Sequence, residues 1–185
     1  VANFKTNSQI PIEKFAIAIN SRLKKSIVIK KAEEVDERFH SRLNCKRKTY
    51  RYIINNSPYG TAIYRYLETH IPQKLNVEKM KKAVKYFIGE HDFKAFKASG
   101  TSSKSSVRTI YDAKIYQNGD KIYIELTGNG FLYNMVRIIA GTLVEVGLEK
   151  IEPEKIEEII KEGKRENAGK TLPPNGLYLV DVKYE

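Results

Sequence analysis

The sequence lacks the residue patterns that mark several common kinds of active site. It has one cysteine, Cys45, and three scattered histidines, so it has neither an internal disulfide nor the ligand spacing of a zinc site. It has no Ser-His-Asp order and no glycine-rich phosphate loop, and no apolar run approaches the ~20 residues that a membrane helix needs. We therefore expect a cytoplasmic protein with no metal site and no membrane-spanning helix.

Positive charge is the most informative property that the sequence does have. Its 33 Lys and Arg residues exceed its 22 Asp and Glu residues, which gives a net charge of +11. Segment 21–51 holds eleven basic and four acidic residues, segment 94–108 holds four basic residues and no acidic one, and the rest of the chain balances. Such a concentration favours a polyanion-binding face, with nucleic acid as the expected partner. A lysine-rich solvated surface is the alternative, and an anionic membrane surface is a more distant one.

Hydrophobic periodicity predicts an α+β fold, with a mainly antiparallel sheet and helices packed on one face. Apolar residues recur at helical spacing after Pro11, between Asn76 and Gly89, at about 131–146 and at 153–162. Strands are predicted at 26–32, 49–55, 62–67, 107–116, 121–127 and 177–184. The dipeptide Asn118-Gly119 favours a tight hairpin turn between the two strands that flank it.

Arg137 is the residue that fits a plain structural role least well. It is the only charged side chain between Phe131 and Val144, in a predicted helix that is otherwise largely apolar. A buried guanidinium requires a partner, because an unpaired buried charge is strongly destabilising. One interpretation is a structural salt bridge, or an arginine whose head group reaches solvent. The other is that Arg137 holds a catalytic carboxylate ionised and oriented.

Three further segments have compositions that suit nucleic acid. Tyr50 and Tyr52 share one face of a predicted strand, just after the basic run Lys46-Arg47-Lys48. Aromatic faces beside basic side chains can support an unstacked base, although such a tyrosine pair more often packs in a core. Phe39-His40-Ser41-Arg42 combines an aromatic ring with potential donors in a predicted loop. The loop 98–106 has six hydroxyl residues and one lysine, which suits phosphate contacts or a flexible surface loop equally well.

Five motifs resemble those of the tRNA pseudouridine synthase A family, in the family's order and along essentially the whole chain. They are Val1-Ala2-Asn3-Phe4, Phe39-His40-Ser41-Arg42 followed by Tyr50-Arg51-Tyr52-Ile53-Ile54, Gly89-Glu90-His91-Asp92-Phe93, Phe131-Leu132-Tyr133-Asn134-Met135-Val136-Arg137, and Gly176-Leu177-Tyr178-Leu179. Each motif is weak alone, whereas five in the right order and spacing are a strong signal. By this resemblance, residues of about 1–35 belong to the N-terminal subdomain of the pseudouridine synthase fold and residues 36–185 to its C-terminal subdomain.

The resemblance implies an isomerase that converts uridine to pseudouridine at positions 38, 39 and 40 in the anticodon arm of tRNA, without cofactor or metal. It implies that Tyr50 stacks on the target uracil and assists in removing its C5 proton, that Arg137 pairs with the catalytic aspartate, and that Leu177 packs against the flipped base. It assigns tRNA binding to Phe39, His40, Ser41, Arg42, Leu43, Gly100, Thr101, Ser102, Ser103 and Lys104. It also implies a homodimer whose tRNA site is built by both subunits.

One departure from the family's pattern concerns the residue that does the chemistry. The family's catalytic segment reads Gly-Arg-Thr-Asp-x-Gly-Val-His, and Arg-Thr-Asp occurs nowhere in these 185 residues. The nucleophilic Asp is therefore absent from this chain, and we expect the 185 residues to be inactive alone. We also expect Arg137 to be exposed or to use another acceptor, so that Arg137→Met would be neutral or mildly stabilising.

Two other classes of protein stay open on the sequence alone. A non-catalytic RNA-binding module would keep the two basic segments without the catalytic aspartate. A small basic structural protein of a larger ribonucleoprotein would leave Arg137 and the Tyr50 strand without a special purpose. The sequence that the gene encodes ahead of Val1 distinguishes the enzyme from both.

Overall fold

The computed structural model describes residues 1–100 and 105–184, and the chain divides into two compact units, Val1–Asn44 and Cys45–Glu185. The first unit contains helix α1 (Ile12–Asn20), which begins directly after Pro11 as predicted. The strand predicted at 26–32 does not form. Its central residue, Ile29, gives its N–H to Asn20 Oδ1 at 2.8 Å and accepts from Asn20 Nδ2 at 2.9 Å. The Asn20 amide thus occupies the backbone groups that a neighbouring strand would need.

The second unit is built on a six-stranded sheet. Its strands are β1 (Arg47–Asn55), β2 (Thr69–His70), β3 (Gly89–Asp92), β4 (Val107–Asn118), β5 (Lys121–Gly128) and β6 (Leu177–Lys183). Neighbours follow the order β2-β1-β5-β4-β3, and β6 pairs with β1. Every pairing is antiparallel except that of the short β2 with β1. Gly119, with φ at +58°, lies in the two-residue turn between β4 and β5.

Three helices accompany this sheet. They are α2 (Val77–Ala83), α3 (Met135–Gly147) and α4 (Lys155–Glu162). Asn76 caps α2 through Oδ1, which accepts from Lys79 N at 3.1 Å, and α2 continues as a 3-10 turn to Phe87. The helices bury one face of the sheet, to which β1 gives Tyr52 and Ile54 and β5 gives Ile122, Ile124 and Leu126. The predicted α+β fold, with a mainly antiparallel sheet and helices on one face, is confirmed.

The prediction of a strand at 62–67 is wrong. These residues form consecutive turns, because the Tyr64 carbonyl accepts from the N–H of Leu67 at 2.8 Å and of Glu68 at 3.1 Å. The buried Glu68 carboxylate then holds the turns in place by accepting from Asn55 Nδ2 at 2.8 Å and from Thr61 Oγ1 at 3.2 Å. Local hydrogen bonds have replaced the ladder that the apolar and aromatic composition suggested.

Candidate active site

Helix α3 presents Arg137 to two uncharged acceptors. Its Nε donates to the Leu172 carbonyl at 2.6 Å and its Nη1 donates to Asn134 Oδ1 at 2.9 Å. No carboxylate within residues 1–100 and 105–184 lies within ion-pair distance of this guanidinium. Of the two outcomes expected for Arg137, the structure thus gives the second, in which other groups accept its hydrogen bonds.

The third nitrogen of the guanidinium is open. Nη2 of Arg137 has no hydrogen-bond partner among the described residues. No side-chain polar atom in that part of the chain is both buried and unbonded, so Nη2 retains access to solvent. The arginine is therefore half-buried and fixed at two nitrogens, and the N–H groups of Nη2 are free for a further acceptor.

The Leu172 carbonyl belongs to a backbone segment, residues 168–173, that we call the strap. The strap packs so closely on α3 that a Cβ on Gly141 would lie 1.8 Å from the Lys170 oxygen. Thr142 Oγ1 accepts from Gly169 N at 2.8 Å, and Leu172 N donates to the Arg137 carbonyl at 3.3 Å. Only glycine at position 141 permits this approach, and it allows a strap carbonyl to reach Arg137 Nε.

Tyr52 ties the end of the strap to the sheet. Its hydroxyl donates to the Pro173 carbonyl at 2.6 Å and lies 2.6 Å from Thr69 Oγ1. A tyrosine has one hydroxyl hydrogen, so Thr69 is the donor in the second bond. Burial raises the pKa of Tyr52 to about 12, although the bond from Thr69 and the positive charge of Arg137 act in the opposite direction. Tyr52 thus keeps its proton at neutral pH and remains a donor to the strap.

Tyr50 lies two residues before Tyr52 on β1, so both rings are on the helix-covered face. Its ring meets the Phe131 ring edge-on, with centroids 5.2 Å apart and planes at 81°. Its hydroxyl has no hydrogen-bond partner among the described residues and is not buried. Burial of the ring, with a smaller contribution from Cys45, raises the pKa of Tyr50. The residue therefore offers a half-buried ring with a free, protonated hydroxyl.

Leu177 is on the same face as these two tyrosines. It pairs with Tyr52 across β6 and β1, and it is half-buried against the core. The next residue on that face, Leu179, pairs with Tyr50 and is 51% exposed. The structure thus brings together three of the residues singled out from the sequence, Tyr50, Arg137 and Leu177, on one side of the sheet, with Tyr52 among them.

The residues predicted to bind tRNA fall in different parts of the chain. Phe39, His40, Ser41, Arg42 and Leu43 lie in the first unit, where the His40 carbonyl accepts from Asn44 N at 2.9 Å and Ser41 N donates to Asn3 Oδ1 at 3.0 Å. Gly100 is in the second unit with φ at +85°. Thr101, Ser102, Ser103 and Lys104 lie outside the described residues. The structure therefore leaves their roles as predictions.

Asn134 and the Leu172 carbonyl were missed by the sequence analysis. Asn134 has φ at +59° and ψ at 7°, a left-handed conformation that asparagine tolerates better than most residues. Its place three residues before Arg137 was the available signal, since residues at that spacing face each other in a helix. The Leu172 carbonyl had no signal, because every residue has one.

Two features are absent from residues 1–100 and 105–184. They contain no group of three or more His, Cys, Asp or Glu side chains that could hold a metal ion. None of their helices is long and apolar enough to span a membrane.

One side of the sheet thus carries the Tyr50 ring, on which an aromatic base can stack, and Arg137 of α3, whose open N–H groups can bind an anionic group. These are the parts of an enzyme site for a substrate that has both. A family model described as tRNA pseudouridine synthase matches residues 83–185. The chain is 50% identical over 184 residues to tRNA pseudouridine synthase A of Acetivibrio thermocellus and 53% identical over 185 residues to that of Ruminiclostridium cellulolyticum. Each match covers 100% of this chain, and 75% and 76% of the two relatives. The chain belongs to the tRNA pseudouridine synthase family, as the five motifs predicted.

Proposed function

We propose that this chain carries the substrate-binding part of an enzyme that isomerises uridine to pseudouridine at positions 38–40 in the anticodon arm of tRNA. Family membership supports the reaction class. The observation that carries the proposal is Arg137, which is fixed by two neutral acceptors and keeps Nη2 open on the side of the sheet where Tyr50 lies. A guanidinium held in this way is ready to pair with a carboxylate.

The reaction needs no cofactor, because product and substrate have the same atoms and the same oxidation state. The target base leaves the stack, and the family's aspartate helps to break the bond between N1 and C1′ of the ribose. The uracil turns, C5 bonds to C1′, the C5 proton leaves and N1 takes up a proton. In this scheme Arg137 keeps the aspartate ionised, Tyr50 stacks on the uracil and assists removal of the C5 proton, and Leu177 packs against the flipped base.

The test compares this 185-residue protein with the extended chain, by which we mean the same sequence together with whatever its gene encodes ahead of Val1. Both are assayed for pseudouridine on unmodified tRNA. We expect no turnover by the 185 residues, because Arg-Thr-Asp is absent from them. We expect turnover by an extended chain that contains this motif. An inactive extended chain of that kind would refute the function, and an active 185-residue protein would point to a substitute carboxylate.

RNA binding by the 185 residues is a separate expectation, since both basic segments are present. Each phosphate neutralised adds about 0.7–0.9 to the slope of log affinity against log salt. Affinity for tRNA that does not change with salt would contradict the electrostatic interpretation. By the family resemblance, tRNA-binding roles are proposed for Phe39–Leu43 and for Gly100–Lys104, and alanine substitutions in either segment should weaken binding and leave the fold intact.

A non-catalytic RNA-binding module is the second candidate function, because the basic segments 21–51 and 94–108 would serve such a module as well as an enzyme. Such a module would bind tRNA without turnover in the extended chain as well. By family resemblance we also propose a cytoplasmic homodimer that builds each tRNA site from both subunits. Light scattering on the extended chain tests the dimer, and a monomeric mass in an active preparation would refute it.

A further inference from the structure

Among the described residues, the two groups that accept hydrogen bonds from the Arg137 side chain are both uncharged. A guanidinium is planar and presents five N–H groups in fixed directions, so bonds at two different nitrogens set both its plane and its rotation. Here the two bonds go to a backbone carbonyl at Nε and to an amide oxygen at Nη1. Neutral acceptors orient the group without cancelling its charge, whereas a carboxylate in the same place would pair with it.

Asn134 provides the amide oxygen from a left-handed backbone conformation. With φ at +59° it stands immediately before α3, where glycine would be free of the steric cost that a side chain brings. Its one side-chain bond to another described residue is the bond to Arg137. A residue fixed in this conformation, whose side chain bonds only to a candidate catalytic group among the described residues, is placed to orient that group.

Tyr52 acts on Arg137 indirectly, through the strap. Its side chain is fully buried, and its hydroxyl holds Pro173, the residue that follows Leu172 in the strap. Because the Leu172 carbonyl is bonded to Arg137 Nε, the position of the strap sets the position of the guanidinium. Thr69 fixes the direction of the Tyr52 hydroxyl by donating to it.

We propose that Asn134 and Tyr52 are positioning residues for Arg137, which they orient with neutral acceptors so that its full charge meets the catalytic carboxylate through Nη2. The inference rests on the proposed function, since it assumes that a carboxylate is the partner. Asn134 acts directly on Nη1, and Tyr52 acts through the strap on Nε.

The first experiment measures kcat, KM and their pH dependence in the extended chain with Asn134→Gly. Glycine accepts the backbone conformation and removes only the side-chain acceptor. We expect kcat to fall about tenfold or more, as for a lost bond to a charged group, with KM for tRNA nearly unchanged. Arg137 lowers the pKa of the carboxylate that it faces, so a misdirected Arg137 lets that pKa rise and moves the acidic limb of kcat to higher pH.

Three variants sharpen the result. Asn134→Asp keeps the shape but gives Arg137 a carboxylate at Nη1, so it should lower kcat further than Asn134→Gly does. Tyr52→Phe should lower kcat and shift the acidic limb in the same direction. Asn129→Gly is the matched control, because it removes an amide side chain that bonds to Thr109 and not to Arg137: its Oδ1 accepts from Thr109 N at 3.0 Å and its Nδ2 donates to Thr109 Oγ1 at 3.5 Å. It should keep both the wild-type kcat and the acidic limb.

A second measurement does not depend on turnover. The ¹⁵N relaxation of the Arg137 Nε–H group reports the order of the guanidinium, which should be high in the wild type and reduced in Asn134→Gly. Wild-type relaxation together with a wild-type acidic limb in Asn134→Gly would overturn the inference. If the wild-type extended chain contained Arg-Thr-Asp and lacked turnover, the proposed function would be refuted, and the relaxation result would still decide whether Asn134 positions Arg137.

Discussion

Replacing Arg137 by methionine in the 185-residue protein tests whether its neutral acceptors stabilise the fold. From the sequence we expect this change to be neutral or mildly stabilising, because it removes a charge without a carboxylate partner. The structure gives a reason to expect the opposite. Two hydrogen bonds from a charged donor are lost, to the Leu172 carbonyl at 2.6 Å and to Asn134 at 2.9 Å.

The expected change in the free energy of unfolding follows from what each acceptor loses when Arg137 is removed. Leu172 is 2% exposed, so its carbonyl is left without its donor at a cost of about 1–3 kcal/mol. The Asn134 amide is half-buried and water can replace its partner, so its loss adds little. Removing the charge from an apolar helix returns part of the cost. We expect a net loss of about 1–2 kcal/mol, which in a protein of this size lowers Tm by about 2–8 °C.

The assay is thermal unfolding of the 185-residue protein, with Lys82→Met as the control. Lys82 is an exposed residue of α2 whose side chain has no hydrogen-bond or ion-pair partner among the described residues, so its loss removes one charge from a helix and little else. Lys82→Met should change the free energy of unfolding by no more than about 0.5 kcal/mol. A Tm for Arg137→Met that equals or exceeds that of Lys82→Met would refute the reasoning.

Three further predictions concern other contacts. Gly141→Ala should cost about 1–3 kcal/mol or more in urea unfolding, because its Cβ would lie 1.8 Å from the Lys170 oxygen; wild-type stability would contradict the close packing. Burial opposes ionisation of Glu125, but hydrogen bonds led by that from Arg51 outweigh it and hold its pKa below the usual value. The contribution of Glu125 to the free energy of unfolding is therefore fully present above about pH 4.3 and is lost as the pH falls through the lowered pKa. Glu125→Gln should make the free energy of unfolding depend less on pH in this acidic range. In an active extended chain, Tyr50→Phe should bind tRNA nearly normally and lose most turnover; normal turnover by Tyr50→Phe with failure of Tyr50→Leu would leave Tyr50 a stacking platform only.

The elements that the sequence predicted well are those whose signals are local. The hairpin at Asn118-Gly119 and the helix capped by Asn76 depend on residues within a few positions of each other. The strands predicted at 26–32 and 62–67 failed because composition shows that a segment can pair, and not whether a neighbouring strand is available. Asn20 binds the backbone of the first segment, and turns close the second.

The residues of the candidate site also differ in whether a local sequence signal indicates them. Arg137 could be found because a charge in an apolar helix conflicts with its surroundings, and Tyr50 because it stands beside basic residues. The strap could not be found, since its contribution is a carbonyl from a segment 35 residues further along the chain. The glycine that admits it, Gly141, lies four residues after Arg137 and so on the same face of the helix, but nothing in the sequence identifies what approaches it.

The neutral acceptors of Arg137 stabilise the fold less than a carboxylate would, but they leave the arginine able to attract a carboxylate. A carboxylate from within this chain would stabilise a half-buried arginine more than a carbonyl and an amide do, because charge-assisted bonds between two ions are the stronger kind. It would also leave little attraction for a second carboxylate. Here the charge is still strong enough at Tyr52 to act against the effect of burial on that hydroxyl's pKa. The chain therefore gives up some stability and retains an arginine that can pair with a carboxylate at Nη2, which is what the proposed function requires of it.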